Sequence, residues 1–329
     1  MPVFFMDHNP LMNETGTTTK IVGESVVNSL KRNPRDIMFY IAMVAPALLS
    51  YIIVIAYPVI FSIGLGFTEY NIFKPENTVF IGFKNYTRMF SDSTFWLAFR
   101  NNMFVVAVSV FGQIPLSFIL AYLLYRKLVR FQNFFQAMVF LPMAISTIVI
   151  GLLWRNMFSP YGAVTSFIQW ISGNPEFNFT WSLSTDTAMI PIGLVLIWMY
   201  TGFYMINFLA NLQKLDSGII EAAQIDGASE FNIFFRIVVP PLAGVILVNT
   251  ILAIAGSLKG FDLIFAMTGG GPANKTIVLP IYMYRYAFTT RASDAYSFGS
   301  AISNVIVLIS IILITLSNWL VKKLSPQEV

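Results

Sequence analysis

Leu215 to Pro241 reads LDSGIIEAAQIDGASEFNIFFRIVVPP, and it stands where one charge-free run, 187 to 213, ends and the next, 237 to 258, begins. Asp216 or Ser217 is placed to cap a first short helix. Gly227 can close that helix in the left-handed conformation, which costs a residue with a Cβ more. Ser229 can then cap a second helix, which must end at Pro240 and Pro241 because proline has no N–H to continue the ladder. The pattern predicts a compact helix-turn-helix. On its first helix Ile219, Ala222, Ala223 and Asp226 share one face, where the alanines allow close approach of another body. On the second, Phe231, Phe234, Phe235 and Val238 offer an apolar strip.

The two flanking runs belong to a set of six. Residues 37 to 68, 101 to 125, 131 to 154, 187 to 213, 237 to 258 and 295 to 321 hold no Asp, Glu, Lys or Arg. Each is long enough for a helix to cross the ~30 Å hydrocarbon core, which takes ~20 residues at 1.5 Å per residue. Of the 329 residues 56% are apolar and 11% charged, whereas soluble domains average roughly 45–50% and 25%. A simple water-soluble enzyme is thereby excluded, and a membrane β-barrel would show short alternating segments instead. The fold class expected is an all-α integral membrane protein with six transmembrane helices spanning 37–321, a tail at 1–36 and another at 322–329.

No cleavable signal is evident in residues 1 to 30, so the first helix, from Ile37, is read as its own insertion signal. Lys31, Arg32 and Arg35 precede it, and Arg126, Lys127 and Arg130 crowd the connection between the second and third runs. By the positive-inside rule both belong in the cytoplasm, with both termini. The stretch 156 to 175 is also uncharged, but Val164, Phe167, Ile168 and Ile171 recur at helical spacing against Thr165, Ser166, Gln169 and Ser172. It reads as a short amphipathic helix at the outer interface. Pro46, Pro58, Pro115, Pro142 and Pro191 fall inside runs, and kinks are expected there.

Chemistry is excluded more firmly than it is indicated. There is no cysteine and a single histidine, His8, so neither disulfides, thiolate metal sites nor a histidine-built zinc site are available. Net charge is only +4, which suits cytoplasmic loops facing anionic lipid and gives no reason to expect a nucleic-acid partner. Intramembrane polar groups are Gln113, Asn207, Asn249, Ser257 and Asn304, all unionisable. Ion-coupled carriers usually hold an ionisable residue at midplane, so the energy source is expected outside this chain. The glycines at 269–271 lack the Lys and Ser or Thr of a nucleotide-binding loop and read as a chain reversal.

The string EAAQIDGA, with Phe235, Ile237 and Pro240 following at the same spacing, resembles the EAA loop of permease subunits from bacterial ATP-binding-cassette importers. The block FDLIFAMTGGGP at Phe261 to Pro272, with LPIYMYRYAF at Leu279 to Phe288, is similar to the first permease subunit of carbohydrate importers such as maltose, multiple-sugar and glycerol-3-phosphate systems. The resemblance covers essentially 37–321. It implies a type I importer permease fold in the bacterial inner membrane, with 215–241 as a cytoplasmic coupling loop. Glu221, Ala222, Ala223, Asp226, Gly227 and Ala228 would meet a separate ATPase present as two copies or domains. The other partners implied are a second permease subunit and an extracytoplasmic solute-binding protein. No cofactor is expected on this chain, ATP being held by the partner.

The same resemblance places the solute path at Met143 and Thr147, at Met199, Tyr200 and Phe203, and at Ser257 and Gly260. Aromatic faces and neutral hydrogen-bonding groups there suit sugars. Several positions where oligosaccharide carriers have Asn are apolar or Gly, so the substrate is not carried over. Asn207 and Asn249 are alternative cavity residues or an interhelical pair. Lys259 and Asp262 either pair or present charge to an anionic solute. Two alternatives stand beside a sugar importer: an importer of glycerol phosphate, which calls for several cations at the cavity mouth, and an enzyme on lipid-linked sugars, which calls for convergent acidic or histidine residues.

Overall fold

A computed structural model of the chain describes residues 34–71, 73–177, 187–290 and 292–324. Most of the tail expected at 1–36 lies outside them. The chain divides into two compact units at Phe61/Ser62.

In the first unit α1 (Pro34–Tyr51) runs through a π-helical turn, Ile52–Ala56, into α2 (Tyr57–Leu65), whose residues from Ser62 on are assigned to the second unit. None of the side chains from Met38 to Phe61 is buried, as befits a surface meant for hydrocarbon or a neighbouring protein.

The second unit opens with a two-stranded ribbon, β1 (Thr68–Glu69) antiparallel to β2 (Val79–Phe80), and the short α3 (Lys84–Ser91). The buried Asn85 amide donates to the carbonyls of Gly66 and Thr68, at 3.1 and 3.0 Å. α4 (Ser93–Val108) passes through a π-helical turn, Ser109–Gln113, into α5 (Ile114–Tyr125). Asp92 caps α4 by accepting the Thr94 N–H at 2.8 Å. It also accepts the Tyr282 hydroxyl at 2.7 Å. Partial burial opposes its ionisation, but these donors outweigh burial and hold the carboxyl below its ordinary value.

α6 (Gln132–Ala144) and α7 (Thr147–Met157) form the third apolar run, and the kink expected at Pro142 is a sharp one. The two helices meet at 96°, whereas the other five apolar helices are long enough to span without such a break. The turn is made by Ile145 and Ser146 in extended conformation. Pro142 leads into it: lacking an N–H, it weakens the last turn of α6. Each arm has its own partner. Gly202 of α9 (Met189–Leu212) lies so close to α6 that a Cβ there would sit 2.3 Å from the Val139 carbonyl oxygen. Gly151 of α7 approaches Ala266 of α13 (Asp262–Thr268) in the same way.

Elsewhere Pro58, Pro115 and Pro191 lie in apolar helices that continue past them. Pro58, Pro115 and Pro240 each follow, two residues on, the end of a π-helical turn: Ile52–Ala56, Ser109–Gln113 and Ile233–Val238. The widened turn moves the carbonyl that the ring would strike and lets the backbone bond five residues back, as Ile114 N–H does to Ser109. Pro191 sits in the first turn of α9, where no N–H is needed.

α8 (Ala163–Ser172) is the amphipathic helix foreseen, with Thr165 buried and Phe167, Trp170 and Ile171 exposed. After α9 come α10 (Ser217–Ile225), the single turn α11 (Glu230–Asn232), α12 (Ala243–Lys259) and α13. The chain then reverses at Gly269 and Gly270, both at positive φ, as the triple glycine predicts. α14 (Leu279–Tyr284) and the long α15 (Ala295–Leu324) complete the unit, so the last helix runs past the boundary expected at 321. Irregular backbone inside an apolar body must find partners. Asn101 donates to the carbonyls of Lys275 and Ile277, and Asn102 accepts the Leu279 N–H at 2.7 Å.

α9 is the most enclosed span, and its contact with α6 sets the closest helix approach. Gly202→Ala is expected to cost about 1–3 kcal/mol by overpacking and to lower the melting temperature in detergent. Gly244→Ala, with open space around its Cβ position, should leave it unchanged.

Candidate functional site

The Leu215–Pro241 loop folds as the sequence predicts. Asp216 accepts the Gly218 N–H at 2.9 Å, Gly227 closes α10 at φ +78°, and the Ser229 hydroxyl accepts from Asn232 N–H at 3.4 Å. Ile220, Ile233 and Val238 are buried together with Phe118, Phe208 and Leu212 from α5 and α9. Phe234 packs on Phe118 and Tyr122, with ring centroids 5.1 and 4.9 Å away. The Phe strip is therefore split: Phe234 and Val238 turn inward, while Phe231 and Phe235 are exposed and meet in a tilted ring contact with centroids 4.5 Å apart. Side chains spaced by four share a helical face, which separates 231 and 235 from 234 and 238.

Glu221, Ala222, Asp226 and Gly227 lie exposed along the outside of the loop, and Ala223 and Ala228 are half-buried beneath them. Ile219 and Ile225, at 57% and 86% exposure, add apolar surface to that side. The inner face of the loop thus packs on two spans, and its outer face is small, apolar and acidic.

One fastening went unread in the sequence. Glu230 receives Arg126 at 2.6 Å and the Tyr122 hydroxyl at 2.6 Å, pinning the loop to the end of α5. The guanidinium beside it, then the hydroxyl, hold the Glu230 carboxyl below the ordinary carboxylate value. Glu230 in turn keeps Arg126 charged beyond its ordinary range. The basic cluster 126–130 had explained Arg126 as a topology signal; its spacing from Glu230 holds no local pattern.

A cavity of about 180 Å³ lies between α4, α7, α9, α12 and the start of α13. Thr147, Tyr200, Ser257 and Gly260 line it, beside Ser109, Gln113 and Tyr204. The hydroxyls of Ser257 and Ser109 are 2.8 Å apart, and Gln113 donates to the Leu196 carbonyl at 3.0 Å. The stripe Leu196, Tyr200, Tyr204 is one helical face, which places three other candidates elsewhere. Met199 is buried in the core, Phe203 is exposed on the outside of α9, and Met143 is half-buried on α6; none of the three lines the cavity. Lys259 and Asp262 both line it without forming an ion pair; among the described residues the ion pairs are Arg88–Asp294 and Arg126–Glu230. Ser109 and Tyr204 were missed because helix rotation, not residue type, selects them.

Fold and sites together define a protein with several apolar helices long enough to span a membrane, a cavity of mixed apolar and hydroxyl-bearing lining, and a loop packed against two of those helices. Residues 113–328 match the family model described as binding-protein-dependent transport system inner membrane component. The chain belongs to that family, and is thus a permease component of the inner membrane and not a catalytic subunit. It is 32% identical over 285 residues to a probable ABC transporter permease protein of Pyrococcus horikoshii, covering 87% of this chain and 96% of that one. To the lactose transport system permease protein of Rhizobium radiobacter it is 33% identical over 274 residues, 82% and 89% of the two chains. Among solved structures, a chain of a bacterial alginate ABC transporter, in complex with an alginate pentasaccharide-bound periplasmic protein, superposes with TM-score 0.75. Identity there is 22%, over 89% of this chain and 96% of that one. The all-α permease fold is thereby shown.

The Arg126–Glu230 pair is a surface fastening, Glu230 being 45% exposed, so its loss in Glu230→Gln should cost only about 0.2–1 kcal/mol. The folded-state pKa lies below the ordinary 4.5. The contribution is therefore full above that value and vanishes as pH falls through the depressed one. Melting temperatures of wild type and variant should differ at neutral pH and converge in acid.

Proposed function

We propose that this chain is the membrane subunit of an ATP-driven importer that moves a neutral sugar or oligosaccharide, delivered by an extracytoplasmic binding protein, through the α4–α7–α9–α12 cavity. The observation that carries the solute class is the cavity wall. Ser109, Gln113, Thr147, Tyr200, Tyr204 and Ser257 supply hydroxyls, an amide and aromatic faces, which suit C–H surfaces and hydroxyls of a sugar. The only cation on that wall, Lys259, is accompanied by Asp262, which speaks against glycerol phosphate as solute. Among the described residues no group of three His, Asp or Glu able to hold a metal ion comes together, so no metal-centred site speaks for an enzyme on lipid-linked sugars.

Two copies of a cytoplasmic ATPase hold ATP, and a second permease subunit completes the path. The loop at 215–241 lies in the cytoplasm with both termini, and its exposed Glu221, Ala222, Asp226 and Gly227, with Ala223 and Ala228 beneath, receive the ATPase. Small residues permit close docking, and a carboxylate at Glu221 offers a contact with a basic residue that can be remade in each state. Closure of the ATPases then pushes α10, and through Ile220 and Ile233 moves α5 and α9.

Co-purification with an ATPase and a second permease, and hydrolysis stimulated by a sugar-loaded binding protein, test this reading; a chain that purifies alone and to which no hydrolysis can be coupled contradicts it. Glu221→Lys reverses the charge at the contact, and Gly227→Pro forces φ to about −65° where +78° is needed. Both should abolish uptake while membrane insertion persists; wild-type uptake by both would refute the assignment.

A further inference from the structure

The cavity-lining faces of α9 and α12 do not stop at the cavity. On α12 the stripe Ser257, Ala253 continues four residues on to Asn249, and on α9 the stripe Tyr200, Tyr204 continues to Asn207 and Asn211. The Asn207 amide donates to the Asn249 Oδ1 at 2.5 Å, Asn211 donates to the Asn207 carbonyl at 2.9 Å, and Lys214 donates to the Asn211 Oδ1 at 3.1 Å. A polar row thus runs from the cavity floor to the first charged residue before the coupling loop.

An ammonium only donates, so Asn211 offers Lys214 its oxygen and turns its amide toward Asn207, mainly to the backbone carbonyl and at a longer 3.4 Å to the side-chain oxygen. Asn207 gives its own amide to the Asn249 Oδ1. The row therefore ends on a donor. Asn249 is wholly buried and, among the described residues, its Nδ2 has no partner. A pair of asparagines serving only to hold two helices together would use that group, because a buried donor left unpaired bears its full desolvation cost.

We propose that Asn249, Asn207 and Asn211 form the inner half of the solute path, closed in this conformation, and that the Asn249 Nδ2 donates to hydroxyl oxygens of a polyhydroxylated solute on its way to the cytoplasm. This rests on the importer reading for which side is cytoplasmic. When the spans part on the loop side, the row becomes a water-lined passage continuous with the cavity. Its groups are all neutral, so a sugar meets a succession of exchangeable hydrogen bonds without a charge to trap it.

The absence of cysteine from this chain makes the test direct. Asn249→Cys and Asn207→Cys are introduced singly into the complete importer in proteoliposomes, and a membrane-impermeant cationic methanethiosulfonate is presented to the cytoplasmic face. Both thiols should react in the nucleotide-free state and slow by about tenfold or more in the ATP-vanadate-trapped state. Val248→Cys, on the exposed outside of α12, should stay unreactive in both. Thiols at 249 and 207 that react no faster than Val248→Cys in either state overturn the proposal; if one variant fails to assemble, the other decides. In a second arm, Asn249→Leu should lose about three- to tenfold of uptake, the worth of one hydrogen bond to a neutral partner, for whichever of lactose, raffinose, maltose and maltotriose the wild type takes up. Asn249→Ser should retain most of it. Wild-type uptake by Asn249→Leu contradicts the donor role. A wild-type importer that takes up none of the four contradicts the sugar reading, while the labelling arm still judges the passage.

Discussion

In hydrocarbon every backbone N–H and C=O must find its partner within the protein, and this constraint shapes the chain wherever it departs from a plain helix. Three prolines are absorbed by widened helical turns that rebond the backbone five residues back. Where the chain does break, neutral side chains take over: Asn101 and Asn102 bind the backbone around Lys275 to Leu279, and Asn85 binds Gly66 and Thr68. Neutral amides do this work, so the charge-free runs need no ionised group to satisfy the irregular backbone.

The same economy explains how force reaches the cavity. The coupling loop is fixed to α5 and α9 by Ile220, Ile233, Val238 and Phe234 on one side and by Glu230 to Arg126 and Tyr122 at its end. α9 carries Tyr200 and Tyr204 into the cavity and Asn207 below it. One enclosed helix thus joins the face proposed to receive the ATPase to the cavity proposed to pass solute. A rigid, tightly packed element of this kind transmits a displacement that a loosely packed one would dissipate.

Much of this was legible in the sequence, for identifiable reasons. The charge-free runs mark the spans because the cost of burying charge in lipid leaves little freedom, and the caps Asp216, Gly227 and Ser229 mark the loop because turn geometry restricts residue type. The kink between α6 and α7 was legible in Pro142, but its size was not: each arm has its own packing partner, α9 and α13. The cavity was read in part. Thr147, Tyr200, Ser257 and Gly260 line it, while Met199, Phe203 and Met143 do not, since one residue along a helix is a rotation of about 100°. The Arg126–Glu230 fastening joins residues far apart in the chain and leaves no periodic trace.

The central claim is that the exposed face of α10 docks on a separate ATPase. With no cysteine in the chain, Ala222→Cys can be paired with single thiols placed along the cleft of the co-purified ATPase and treated with a short bifunctional maleimide. The account predicts a crosslinked permease–ATPase adduct at 222, absent when the thiol is placed instead at the buried Ile220. An assembled, hydrolysing complex that yields no adduct from 222 with any cleft position would contradict it.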